Sequence, residues 1–165
     1  MENTHGSVWV IAEQIDCQIL SVSFQLIGQA RKLADALGTS VESVLLGDHI
    51  EEQARLLIAA GADKVYLGSS AEMELYQPEI YTEMIVDLAR ERKPAIMLIG
   101  STFMGRELAP LVAARLQTGL TAHCIDLVLD ENKILEAKIP AYGGLLSIIC
   151  PQRRPQMATI AQGVF

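Results

Sequence analysis

Short apolar runs alternating with helical repeats that end at Gly38, Gly61 and Pro94 constrain this chain more than any other feature. Residues 7–13 (SVWVIAE), 41–46, 64–67 and 95–99 are rich in β-branched and aliphatic side chains. They are too short for helices and read as buried strands. Between the first two, Ser21 or Ser23 can cap a helix whose apolar face is Val22, Leu26, Ala30, Leu33 and Leu37, closed by Gly38. Residues 13–20 read as a loop. Asp48 with Glu51 resembles a capping box ahead of Ala54, Leu57 and Ile58, with Gly61 at the end. Gly68-Ser69-Ser70 breaks the third strand, and residues 72–79 read as surface loop. Pro78 suits a first helical turn before Tyr81, Met84, Ile85 and Leu88. Four β-α repeats with short connections predict an α/β domain with a mostly parallel sheet and helices on both faces. After Gln117 no helical period intervenes. Residues 120–129, 134–140, 145–149 and 157–160 predict antiparallel strands, or a hairpin, added to that sheet.

A length of 165 residues fits one domain spanning 1–165. Half the residues are apolar, which excludes disorder. No run approaches the roughly 18–20 apolar residues of a membrane span. Residues 1–6 lack a basic segment followed by an apolar one, so no leader is expected and the cytoplasm is the expected compartment. The net charge of −7 argues against a nucleic-acid partner. Cys17, Cys124 and Cys150 fit no disulfide framework or CxxC motif and are expected to be buried, reduced thiols.

Ligands of open α/β sheets bind beyond the carboxyl ends of the strands, where strand order reverses. With the first four strands ordered 3-2-1-4, that point lies between the first and fourth, under loops 12–21 and 100–106. There Gly100 and Gly105 permit close backbone approach, Ser101 and Thr102 supply hydroxyls, and Arg106 can pair with an anion. Pro110 delays the regular helix until after Gly105, leaving residues 101–105 as a loop with free N–H donors for a phosphate or carboxylate, AMP or another adenine nucleotide included. The competing reading is that the glycines only turn the chain and Arg106 pairs with an acidic neighbour. The stretch is neither a Walker A loop nor G-x-G-x-x-G. His5, His49 and His123 lack metal-ligand spacing, so no metal is expected. His123 and Cys124 are adjacent on a strand, point to opposite faces and cannot form a dyad. Glu72, Glu74, Glu79 and Glu83 read as a solvated face. No catalytic constellation is expected, and the chain does not read as an enzyme.

Several runs nevertheless resemble one family. Residues 100–110 (GSTFMGRELAP) are similar to the G-[AS]-T-x-x-G-[RK]-[DE]-L-A-P of electron transfer flavoprotein alpha subunits. Residues 116–122 (LQTGLTA), 140–144 (PAYGG) and 154–159 (RPQMAT) resemble that family's following motifs in the same order, and residues 9–13 and 61–66 also resemble family positions. The sequence departs from the family's habit at Ile139, Leu145, 161–162 and His123. The resemblance implies an adenine-nucleotide-hydrolase-like, Rossmann-like fold and an electron-transfer role. It implies that FAD sits on a further domain following Phe165, and that these residues dock that FAD domain and a beta-type subunit. It also adds Tyr142, Gly143 and Gly144 to Gly100, Ser101, Thr102, Gly105 and Arg106 as candidate cofactor-contacting residues. Two other readings stand beside it, a stand-alone adenine-nucleotide binder and a homodimer built on the apolar C-terminal strands.

Overall fold

The computed structural model describes residues 6–165; His5 and most of the segment read for a leader lie outside the described residues. In chain order the strands are β1 (Val8–Ala12), β2 (Gln14–Ile15), β3 (Gln18–Ile19), β4 (Val41–Gly47), β5 (Lys64–Ser69) and β6 (Ile96–Gly100), then β7 (Leu120–Cys124), β8 (Asp126–Leu129), β9 (Leu135–Ala141), β10 (Gly144–Ile149) and β11 (Gln156–Ile160). The helices are α1 (Ser21–Leu37), α2 (Glu51–Ala59), α3 (Pro78–Arg92) and α4 (Phe103–Leu116).

The main sheet has six strands ordered β5-β4-β1-β6-β11-β7, all paired in parallel. Its first four positions follow the expected 3-2-1-4 order. Strands β1, β4, β6 and β11 are buried at every residue, which explains the apolar runs of β1 and β6, while β4 and β11 also bury Glu42, Ser43, Gln156 and Thr159. Helix α1 packs on one face through Val22, Leu26, Ala30, Leu33 and Leu37. Helices α3 and α4 cover the other face through Tyr81, Ile85, Leu108 and Val112. Met84, assigned to the buried face of α3 by period, is instead exposed.

The C-terminal third carries the expected antiparallel strands, but not all of its strands belong to them. β7 and β11 join the parallel sheet, and β11 inserts between β6 and β7. Only β8, β9 and β10 are antiparallel, in a separate three-stranded sheet ordered β10-β9-β8. The apolar run 120–129 is two strands, not one: a bend at Ile125 divides it between the two sheets, and His123 (φ 59°) lies inside β7. β11 pairs with β6 in parallel from Gln156↔Ile96 onward, so the chain leaves the main sheet and returns to its interior.

Neither α1 nor α2 has the side-chain cap that its sequence predicts. Leu20 occupies the cap position of α1, and Ser23 Oγ instead accepts from the Glu13 amide at 2.8 Å. Ile50 holds the corresponding position of α2, so the Asp48–Glu51 box does not form. Each fully buried Leu or Ile of α1 contributes roughly 1.5–3 kcal/mol, against about 1 kcal/mol for a cap. Burial therefore suffices to hold α1 without a side-chain cap. Gly38 does close α1 in the left-handed region, with φ 69°. The loop 13–20 carries the small β2–β3 ribbon, and β5 runs through Gly68 to Ser69. Of the cysteines, Cys124 alone is buried, and burial pushes its thiol up to about 12; Cys17 is exposed and Cys150 partly so.

Candidate functional site

β6 ends at Gly100 and α4 begins three residues later, so the chain must turn sharply against its own strand. Two glycines make this possible. A Cβ at Gly105 would lie 1.9 Å from the Gly100 carbonyl oxygen, and one at Gly100 would lie 2.6 Å from Glu13 Oε1 and 3.0 Å from Val22. Both positions thus exclude side chains for steric reasons.

Residues 101–105 were expected to remain a loop with free donors. Instead α4 starts at Phe103, and Thr102 caps it: Thr102 Oγ1 accepts from the Gly105 amide at 2.9 Å. Thr102 O accepts from the Arg106 amide, and the Ser101 amide donates to Ile160 O at 2.7 Å. Pro110 lies inside the helix and does not delay its start. A proline removes only its own N–H, whose acceptor would be Arg106 O four residues earlier, and Thr102 can begin the helix before that position matters.

A carboxylate does stand near this helix start, and it belongs to the protein. Glu13, one residue beyond β1, is only 2% exposed, and its Oε2 accepts from Thr102 Oγ1 at 2.5 Å. Its Oε1 has no hydrogen-bond partner among the described residues. Burial raises the Glu13 pKa above the ordinary carboxylate value, and the Thr102 hydroxyl and nearby Gly100 backbone pull it the other way. Glu13, Asp16 and Glu74, with no basic residue, line the adjacent cavity of ≈ 350 Å³. A phosphate or flavin pyrophosphate entering there would meet the buried Glu13 carboxyl, two exposed acidic side chains, no basic partner and an already capped helix. That group does not fit the residues present.

Ser101 turns to the other side of the same strand end. Its Oγ lies 3.1 Å from His123 Nδ1. His123 is exposed at the end of β7, where the register with β11 shifts, and its amide donates to Thr159 Oγ1 at 2.8 Å. Cys124, its neighbour, is buried, as the opposite-face argument required. Ser101, Arg106, His123 and Thr159 line a cavity of ≈ 470 Å³ whose remaining walls are Pro110, Leu120 and Ala122. Arg106 pairs with no carboxylate among the described residues; its Nε donates to Thr102 O at 3.2 Å.

Five of the eight candidate residues, Gly100 to Thr102 with Gly105 and Arg106, are therefore brought together by the β6–α4 turn. Tyr142, Gly143 and Gly144 line neither cavity. Tyr142 (φ 50°) and Gly143 (φ 79°) form the left-handed turn between β9 and β10, and Gly144 begins β10. Glu72, Glu74, Glu79 and Glu83 are exposed, as read. Sequence reasoning missed Glu13 as a buried partner of Thr102. The available signal was an acidic residue directly after five apolar ones at a strand's carboxyl end. It also missed His123 as the partner of Ser101, since nothing in the sequence announces a register shift in β7.

No helix among the described residues is long and apolar enough to cross a membrane. The chain matches the family described as electron transfer flavoprotein domain over residues 8–165. It is 44% identical to the electron transfer flavoprotein subunit alpha of Thermoanaerobacterium thermosaccharolyticum, over 98% of this chain and 50% of that protein. It is 47% identical to protein FixB of Clostridium saccharobutylicum, over 98% and 49%. Against the acryloyl-CoA reductase electron transfer subunit beta of Anaerotignum propionicum the identity is 38%, over 98% and 51%. The chain thus spans about half the length of the curated relatives it matches. With the family match running from the first strand to the last residue, this chain belongs to the electron transfer flavoprotein domain family.

Proposed function

We propose that these residues form the docking part of an electron transfer flavoprotein alpha-type subunit, which seats a beta-type subunit and a flavin-bearing domain. In this role the domain supplies shape and an interface, and performs no bond-making step of its own. FAD is held outside these residues, consistent with the poor fit of a pyrophosphate beside Glu13. The relatives' names support the electron-transfer context, since they are called electron transfer subunits.

The observation that carries the docking role is strand β10. It is an edge strand of the small sheet. Leu145 and Leu146 point to opposite faces of that sheet, yet they are 63% and 48% exposed. Ile149 and Tyr142 are exposed as well. Natural edge strands are normally blunted by lysine, proline or a covering element. Residues 144–149 carry none of the first two, and among the described residues no strand pairs with the outer edge of β10. A partner that covers this strand resolves the exposure.

The test is titration of the chain with an electron transfer flavoprotein beta-type subunit, followed by light scattering and calorimetry. A complex is expected, and Leu146→Glu is expected to weaken it at least about 10-fold, because the variant buries a charge in an apolar contact. Equal affinity of variant and wild type would overturn the assignment of the edge. Self-association abolished by Leu146→Glu, without binding to the beta-type subunit, would assign β10 to a second copy of this chain.

A further inference from the structure

The cavity on the Ser101 side of the β6–α4 turn has a chemistry unlike the rest of the surface. The chain carries 20 acidic residues against 13 basic ones, yet no carboxylate lines this cavity. Its one permanent charge is the Arg106 guanidinium. The Arg106 stem is held by the bond from Nε to Thr102 O, so both terminal nitrogens remain without a partner among the described residues. A guanidinium presents its donors as a planar fork that matches a carboxylate.

Two further polar groups converge on the same space. Ser101 Oγ and His123 Nδ1 are paired at 3.1 Å; in the tautomer in which the hydroxyl donates to Nδ1, Nε2 carries the ring hydrogen and can donate to a ligand. His123 has backbone in the left-handed region, and its amide N–H donates a hydrogen bond to Thr159 Oγ1. The remaining walls are Pro110, Leu120 and Ala122. A dianionic phosphate would meet one fixed cation and three apolar walls. A carboxylate with a short hydrocarbon body meets one cation, one donor from the Ser101–His123 pair and apolar surface for its tail.

We propose that this cavity binds a small organic monocarboxylate, with Arg106 gripping the carboxylate, the Ser101–His123 pair orienting it and Leu120 with Pro110 packing its alkyl part. The site is independent of the β10 docking surface, and its failure would leave that reading untouched. Butyrate is the probe and inorganic phosphate the comparison, each titrated into the 15N-labelled chain and followed by the amide resonances of Ser101, His123 and Thr159. Butyrate is expected to give saturable shifts at these positions, with phosphate weaker. Arg106→Gln, which keeps much of the stem but removes the charge, is expected to raise the butyrate Kd at least about 10-fold. His123→Ala is expected to raise it several-fold while leaving the Leu146 region unshifted. Linear, non-saturating shifts with butyrate, or an Arg106→Gln chain that stays folded and binds butyrate unchanged, would overturn the proposal. Phosphate binding as tight as butyrate would overturn the assigned ligand class.

Discussion

Gly105→Ala is expected to destabilise the chain by about 3 kcal/mol and to lower Tm by roughly 10 °C. The added Cβ would lie 1.9 Å from the Gly100 carbonyl oxygen, and the obstacle is backbone, not a side chain that can rotate away. Relief requires either α4 to lift from the sheet or the end of β6 to move. Both disturb the contacts of Leu108 and Val112, which are fully buried. A second glycine in a helix provides the control. Gly28 lies on the exposed side of α1, and a Cβ there would meet nothing within 4 Å. Gly28→Ala is therefore expected to stabilise by about 0.5–1 kcal/mol through helix propensity alone. Thermal and urea unfolding of the two variants reads both effects. A Gly105→Ala chain within about 1 kcal/mol of wild type would show that close packing at the β6–α4 turn is not what holds the site.

Thr102→Val is the second large effect, again about 3 kcal/mol. One hydroxyl serves two purposes: it accepts from the Gly105 amide and donates to Glu13 Oε2. Valine keeps the shape and removes both. Loss of the cap costs about 0.5–2 kcal/mol, and leaving the buried carboxyl without its donor costs about 1–3 kcal/mol. The loss is pH-dependent with a definite sign. The Thr102 hydrogen bond favours the charged form of Glu13 and lowers its pKa, against burial, which raises it. Removing that bond harms the ionised carboxylate more than the neutral acid. The destabilisation by Thr102→Val is thus expected to grow from pH 4 to pH 8. In the wild type the net shift is upward from 4.5, so the Glu13 contribution is complete below that value and is lost as pH rises through the folded pKa. Urea midpoints of wild type and variant at several pH values check both statements. A penalty that shrinks with rising pH would contradict them.

The α/β class was legible because β1, β4 and β6 are buried on both faces, while β5, at the sheet edge, is only partly covered. Burial on both faces writes itself as unbroken apolar runs such as VWVIA, and short loops leave few ways to connect them. The C-terminal strands were harder. β11 is as buried as β1, but nothing local tells a strand to insert between β6 and β7 after an excursion through another sheet. The helix caps failed for a different reason. Ser23 had another polar group within reach, the Glu13 amide from a different element, and local capping rules do not see such partners. At the site itself, the close backbone approach of Gly100 and Gly105 was read correctly, and its beneficiary was not. The space was expected to admit an anion from outside, whereas the fold places Glu13 there. His123 meets Ser101 where the register between β7 and β11 shifts, a tertiary event with no sequence period.

Hydrogen exchange of the β10 amides, with and without an electron transfer flavoprotein beta-type subunit, reads the proposed docking role at its own surface. Residues 144–149 lie at a sheet edge, so amides facing away from β9 are expected to exchange rapidly in the free chain. On addition of the beta-type subunit, those amides and the Tyr142–Gly143 turn are expected to slow, while β1 and β6, already buried in the main sheet, change little. Binding that protects a different face, or no protection of β10 at a saturating concentration of the subunit, would contradict it.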